Sequence, residues 1–249
     1  MHKHEKLLKL ENIGLSFPTR YFKPQSLKEV FIQTLLGPFS KKHMRENKAI
    51  LKSISFEVKV GDRIGLIGVN GAGKSSLCRI ISGIYLPSSG NIKSHGKVRA
   101  LFESGLMLYP ELSGRENAKV LCEIYFPEFA NEHEEIINES ITFSELGEYI
   151  DAPIKTYSNG MLVRLTLSLL SARPAEILIL DEVFDGADEF FREKLNARVR
   201  SMIDQSGAVI FVSHYQNQIE TICNRAILLV NGNLVFDGSI ANAFENYRK

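Results

Sequence analysis

The stretch Gly68-Val69-Asn70-Gly71-Ala72-Gly73-Lys74-Ser75 fits G-x-x-x-x-G-K-[ST] at every fixed position. Its glycines let the backbone wrap closely, so that successive N–H groups point at an anion, and a helix N-terminus behind them adds partial positive charge. Lys74 then reaches the outer phosphates of a nucleotide, and the Ser75 hydroxyl ligates Mg²⁺. A second constellation is Ile177-Leu178-Ile179-Leu180-Asp181-Glu182, an apolar run ending in two carboxylates. Asp181 is placed to hold Mg²⁺, directly or through water. Glu182 is placed to polarise the water that attacks the γ-phosphate, assistance worth about 10²–10⁴-fold. His214 closes a further apolar run, Ile210-Phe211-Val212-Ser213, and is expected to contact the γ-phosphate or that water. In Tyr157-Ser158-Asn159-Gly160-Met161, Ser158 is a good N-cap and Gly160 leaves backbone room for an anion. Those residues alone leave open a weaker second anion site or a plainly capped helix.

The elements that must position these residues follow from periodicity and turn chemistry. Arg63–Ile67 reads as a buried strand before the Gly-rich loop, and Ser76–Ser82 as a helix ended at Gly83. Leu7–Phe17, Ile50–Val60, Glu176–Leu180 and Ala208–Ser213 read as strands, the last two apolar enough for a buried parallel sheet. Asn91–Phe102 supplies one or two more, and Ala226–Val230 with Leu234–Phe236 flank Asn231-Gly232-Asn233 as a hairpin. Residues from about 103 to 166 turn largely helical and acidic, and a helix spans about 159–172, ended by Arg173-Pro174. Glu132-His133-Glu134-Glu135 is expected on a solvated helix face rather than around a metal.

Residues 18–49 form an insert. Ser26-Leu27-Lys28-Glu29 is a capping box that opens a short amphipathic helix from about Leu27 to Leu36. Basic residues including Lys41, Lys42, Arg45 and Lys48 flank it. Two readings stand side by side: a helix packed on its own domain, and a surface facing an anionic membrane or a membrane partner.

The chain has 249 residues, 44% hydrophobic and 24% charged, with a net charge of +1. That suits a soluble α/β domain and argues against a general nucleic-acid coat. No apolar run approaches the roughly 20 residues of a membrane span, and the polar N-terminus lacks a signal-peptide core. Three cysteines without metal spacing fit a reduced, cytoplasmic protein.

In order and spacing, Gly68–Ser75, Ser158-Asn159-Gly160-Met161, Ile177–Glu182 and Ser213-His214 resemble an ABC-type ATPase cassette over the whole chain. The resemblance implies an α/β fold: a P-loop ABC-type ATPase core with a mixed sheet and flanking helices, and an N-terminal antiparallel β part. It further implies an inserted α-helical subdomain at 103–166 within a single domain, 1–249. ATP and Mg²⁺ are the implied cofactors. Asn70, Ala72 and Ser76 join the loop's nucleotide contacts, Asp188 takes the D-loop position, and Phe17, with Tyr21 in reserve, stacks on adenine. Two cassettes of the family sandwich two ATPs, so Ser158, Asn159, Gly160 and Met161 of a second copy would face the γ-phosphate held by Lys74. Asn159 and Met161 depart from the usual Leu-Ser-Gly-Gly-Gln signature, and Glu103 stands where the lid loop carries a glutamine that helps hold the metal.

The insert, Tyr-Ser-x-Gly-Met and the stretch Glu103–Asn117 are similar to one branch, the ATPase subunits of polysaccharide exporters for O-antigen, capsule and teichoic acid. What that implies is an ATP-hydrolysing subunit, lying on the inner face of the cytoplasmic membrane, that forms a homodimer and drives a separate polytopic permease. The extra C-terminal carbohydrate-binding domain that some members of the branch carry is not expected here, since the chain ends twelve residues after Asp237. Leu106, Met107, Leu108 and Tyr109 are the expected groove for a cytoplasmic helix of the permease, with internal packing as the alternative. An importer or drug-exporter cassette is a rival reading. Soluble ABC ATPases of DNA or ribosomes fit less well, because there is one phosphate loop and no heptad run between Ser75 and Ser158; no nucleic-acid partner is expected.

Overall fold

The structure is a computed structural model that describes residues 6–18, 47–102, 108–181, 189–213 and 215–248. The insert helix therefore lies outside the described residues, as do Tyr21, Glu103, Leu106, Met107, Glu182, Asp188 and His214.

Two sheets pack on each other. β1 (Lys6–Pro18) runs antiparallel between β2 (Asn47–Lys59) and β4 (Ser89–Ser94) in the order β2-β1-β4. The larger sheet joins β3 (Arg63–Ile67), β5 (Val98–Phe102), β6 (Ile177–Asp181), β7 (Ala208–Val212), β8 (Arg225–Val230) and β9 (Asn233–Gly238) in the order β5-β6-β7-β3-β8-β9. All its pairings are parallel except β8–β9. The strands expected within 91–102 are thus two, and they belong to different sheets.

Strand alternation sorts the apolar runs onto the two faces of the large sheet. Ile64, Leu66, Ile177, Ile179, Ile210 and Val212 point into a core shared with the antiparallel sheet and with α1 (Lys74–Ile81). Leu178, Leu180, Val209 and Phe211 point the other way, onto α4 (Asn159–Leu170), α5 (Glu189–Gln205), α6 (Gln216–Ile222) and α7 (Ile240–Arg248). Both faces are covered, which explains the unbroken Ile/Leu/Val composition of β6 and β7. The sequence reading assigned none of α5, α6 and α7.

Within 103–166, α2 (Gly114–Tyr125) opens with the capping box Ser113/Glu116, and α3 (His133–Ser144) follows. With α4 they enclose a third core of Leu121, Phe126, Ile136, Leu165 and others. α4 serves two cores at once: Leu165 and Leu169 face the helical layer, Leu167 and Leu170 the large sheet. His133 is buried rather than solvated, its Nε2 2.8 Å from the Phe126 carbonyl. Around it, Arg173 pairs with Glu132, Glu135 and Glu139.

Arg99 of β5 is the main polar tie between the sheet and the helical layer, with only 4% of its surface exposed. It donates to the carbonyls of Arg173 (2.7 Å) and Pro174 (2.6 Å) and to Glu128 Oε1 (2.8 Å), and its guanidinium lies 4.3 Å from the Phe126 ring centre. Burial pulls its pKa below the usual arginine value, and Glu128 offsets part of that loss. Arg99→Met strips donors from two linker carbonyls and from a partly exposed carboxylate. It should lower unfolding free energy by about 2–3 kcal/mol in urea titrations. An unchanged midpoint would mean that the tie carries no stability.

Candidate nucleotide-binding site

β3 delivers the chain into the Gly-rich loop, and the loop feeds α1 directly. Gly73 caps that helix at φ 106°, a left-handed conformation, and α1 starts at Lys74, two residues earlier than periodicity suggested. A side chain at Gly73 would meet Leu51 Cδ2 at 2.6 Å and the Ile50 carbonyl at 3.3 Å, so only glycine fits where β2 crosses the loop. The hairpin tip holds the loop from the other side. Gly232 N–H donates to the Ala72 carbonyl (3.1 Å), and Lys52 N–H donates to the Gly232 carbonyl (2.7 Å). Within the loop, Lys74 is 7% exposed and its Nζ donates to the carbonyls of Gly68 (2.7 Å) and Val69 (3.2 Å). The ammonium group is thus folded back over the loop it must serve, in the position from which a bound phosphate could draw it.

The loop opens on a cleft of about 930 Å³ lined by Asn70, Gly71, Gly73, Lys74, Ser75 and Ser76 of the expected nucleotide set. Sequence reading missed the five other lining residues, Ala49 and Ile50 and the polar Lys48, Lys52 and Asn231. Lys48 had counted only as part of the basic flank of the insert, and the strand and hairpin contacts that aim these residues at the loop leave no local signal. Phe17 stands opposite Lys48 in the β1–β2 pairing, 45% exposed and edge-on to Tyr85 at 5.8 Å. It is an exposed aromatic ring next to a residue that lines the cleft, and is not itself part of that lining.

Asp181 ends β6 at the level of Val212 in β7, which in turn stands beside Leu66 of β3, just before the loop. At about 4.8 Å per strand, that places Asp181 some 10 Å from the loop's origin, at the C-terminal edge where open α/β sheets put ligands. Its field reaches α1. The Cys78 thiol, fully buried, is pushed well above its usual pKa by burial and then by Asp181, against smaller opposing effects of Arg79 and Lys74. The Ser75 hydroxyl and the Asp181 carboxylate are hard-oxygen donors, the kind of ligand Mg²⁺ takes.

Ser158 caps α4 as expected, its Oγ accepting from the Met161 N–H at 3.3 Å. A Cβ on Gly160 would approach only Ser158 Oγ, at 3.9 Å, so the backbone there is open. Tyr157 anchors the segment from behind, donating from its hydroxyl to the Tyr149 carbonyl at 2.5 Å. None of Ser158, Asn159, Gly160 or Met161 lines the cleft beside Lys74. The two features suited to an anion lie on different layers of the chain.

A family model described as ABC transporter matches residues 51–185, from β2 past the carboxylate pair. The chain belongs to the ABC transporter family. Among the relatives of this family member, the O-antigen export system ATP-binding protein RfbE of Yersinia enterocolitica is 37% identical over 232 residues, spanning 92% of this chain and 96% of that protein. The teichoic acids export ATP-binding protein TagH of Enterococcus faecalis is 37% identical over 198 residues, spanning 80% of this chain but 44% of that one. A solved ATP-binding cassette, dimeric in a post-hydrolysis state with ADP and phosphate, matches with a TM-score of 0.68 at 18% identity, covering 94% of this chain and 99% of the other. The fold is therefore that of the family's ATP-binding cassette.

The three cysteines are all unpaired and buried. Burial raises Cys122 to about 11 and Cys223 to about 12, and Cys78 is raised as well. Because all three shifts are upward, each thiol stays protonated through neutral and mildly alkaline pH, and the thiolate that attacks a disulfide reagent is scarce. At pH 8 the folded ABC protein should react with a thiol-exchange reagent far more slowly than the urea-unfolded chain. Rapid labelling of the native protein would contradict the buried environment.

Proposed function

We propose that this chain is the ATP-hydrolysing subunit of an exporter that moves a lipid-linked polysaccharide, of the O-antigen, capsule or teichoic acid kind, across the cytoplasmic membrane. The observation that carries the reading is the 37% identity, over nearly the full length of both chains, with an O-antigen export ATP-binding protein. The Gly-bent loop, its lysine and its cleft supply the engine's chemistry. Among the described residues no helix is long and apolar enough to cross a membrane; in this proposal, translocation is the work of a separate membrane-spanning subunit. The proposed location is the inner membrane face, and the helices of 103–166 are the inserted subdomain of one cassette.

In the proposed cycle, backbone N–H groups of the loop and Lys74 hold the phosphates, and Phe17 stacks on the base. Ser75 and Asp181, with Glu103, would hold Mg²⁺, which supplies charge neutralisation between the outer phosphates when bound. Glu182 orients and polarises the attacking water, and His214 contacts the γ-phosphate. Ser158–Met161 and Asp188 of a second copy complete the site, because the first copy's own Ser158 segment lies outside its cleft.

Glu182→Gln should retain ATP binding, lose turnover by about 10²-fold or more, and trap an ATP-dependent dimer visible by size-exclusion chromatography with light scattering. In cells it should halt surface delivery while lipid-linked glycan accumulates inside. A variant that turns over at the parent rate, or cells with normal surface glycan, would contradict the proposal.

Leu108 packs against the helical core, which favours internal packing at that position, whereas Tyr109 is 42% exposed. Asn117 pins the segment, accepting from Tyr109 N–H at 2.8 Å and donating to the Tyr109, Leu112 and Ser113 carbonyls. Tyr109→Asp should therefore leave ATP hydrolysis by the isolated subunit intact but abolish export and co-purification with the permease. Full export by that variant would remove Tyr109 from the docking surface.

A further inference from the structure

The cleft beside the phosphate loop carries more positive charge than the loop motif requires. β2 lies against the loop at Ile50 and Leu51, as the close approach to Gly73 demonstrates. The pairing of β2 with β1 slips by one residue between Ala49 and Leu51, so plain alternation does not hold there; the lining of the cleft by Lys48, Ala49, Ile50 and Lys52 is what sets Lys48 and Lys52 on either side of the crossing point. Both line the cleft with Lys74. No Asp or Glu is among the described residues of that lining. Elsewhere on the same antiparallel sheet lysines are neutralised: Lys6 pairs with Glu57 at 2.9 Å, and Lys9 with Glu11 at 2.6 Å. Among the described residues, Lys48 and Lys52 have neither a hydrogen-bond partner nor an ion-pair partner for their ammonium groups. Two uncompensated cations facing a third group of like charge repel one another, and a polyanion in the cleft reverses the sign of that energy.

We propose that Lys48 and Lys52 are nucleotide-contacting residues that read the charge of the polyphosphate, ranking ligands of the cleft by their number of phosphates. This rests on the nucleotide reading of the site and deepens it. Lys48, opposite Phe17 in the strand pairing, serves the end of the cleft where the base stacks; Lys52, bonded through its N–H to the hairpin tip, serves the end nearer Asn231. Both are exposed, so the attraction they exert on the polyphosphate is screened by salt more than that of the buried Lys74.

The test is titration calorimetry of the full chain with ADP and with a non-hydrolysable ATP analogue, each with Mg²⁺, across a range of salt. Lys48→Gln and Lys52→Gln should each weaken analogue binding about threefold and together about tenfold, the scale of exposed ion pairs. ADP should lose less than the analogue, the salt dependence of the double variant should be shallower, and the Lys48→Arg/Lys52→Arg pair should restore parental affinity. If the double Gln variant binds both ligands as the parent does, while Lys74→Ala has lost binding, the lysine pair is overturned and the nucleotide reading survives. Equal losses for ADP and the analogue overturn the charge ranking. A parent that binds neither nucleotide, or a Lys74→Ala variant that binds like the parent, overturns the nucleotide reading itself.

Discussion

Everything at the site depends on how tightly the phosphate loop is held between β2 and the β8–β9 hairpin. Gly73 takes a left-handed backbone against Ile50 and Leu51, while Gly232 bridges Ala72 on one side and Lys52 on the other. A loop clamped from both sides keeps its N–H groups aimed at an anion before any ligand arrives, which spares the ordering cost at binding. The antiparallel sheet, which carries none of the sequence motifs itself, is thus part of the nucleotide site.

The second consequence is a division of labour between layers. The loop, the Asp181 strand end and α1 share the central core, whereas Ser158 and Gly160 sit where α4 enters the helical layer. α4 packs on both the helical core and the large sheet, and Arg99 joins the same two bodies through linker carbonyls. Under the proposed function these are two incomplete surfaces for one anion, and a second copy would bring them to the same phosphate.

Much of this was legible in the sequence because local chemistry dictated it. The loop motif, the Ser158 cap, the apolar run of β6 ending at Asp181 and the Asn231-Gly232 hairpin each depend on residues adjacent in the chain. α5 escaped because its buried Phe191, Leu195, Val199 and Met202 are set among charged neighbours, so its mean pattern reads as polar. His133 escaped because its burial comes from a carbonyl seven residues away. Lys48 and Lys52 owe their meaning wholly to tertiary placement: the β1–β2 pairing slips between Ala49 and Leu51, and only the crossing at Gly73 brings both lysines to the loop.

The central claim is that one copy carries two halves of different sites, and that neither half hydrolyses ATP alone. The most direct measurement is the ATPase rate per chain over a wide dilution series, with oligomeric state followed in parallel. The account predicts that the rate per chain falls as dimers dissociate on dilution. A rate that stays constant in demonstrably monomeric protein would contradict it.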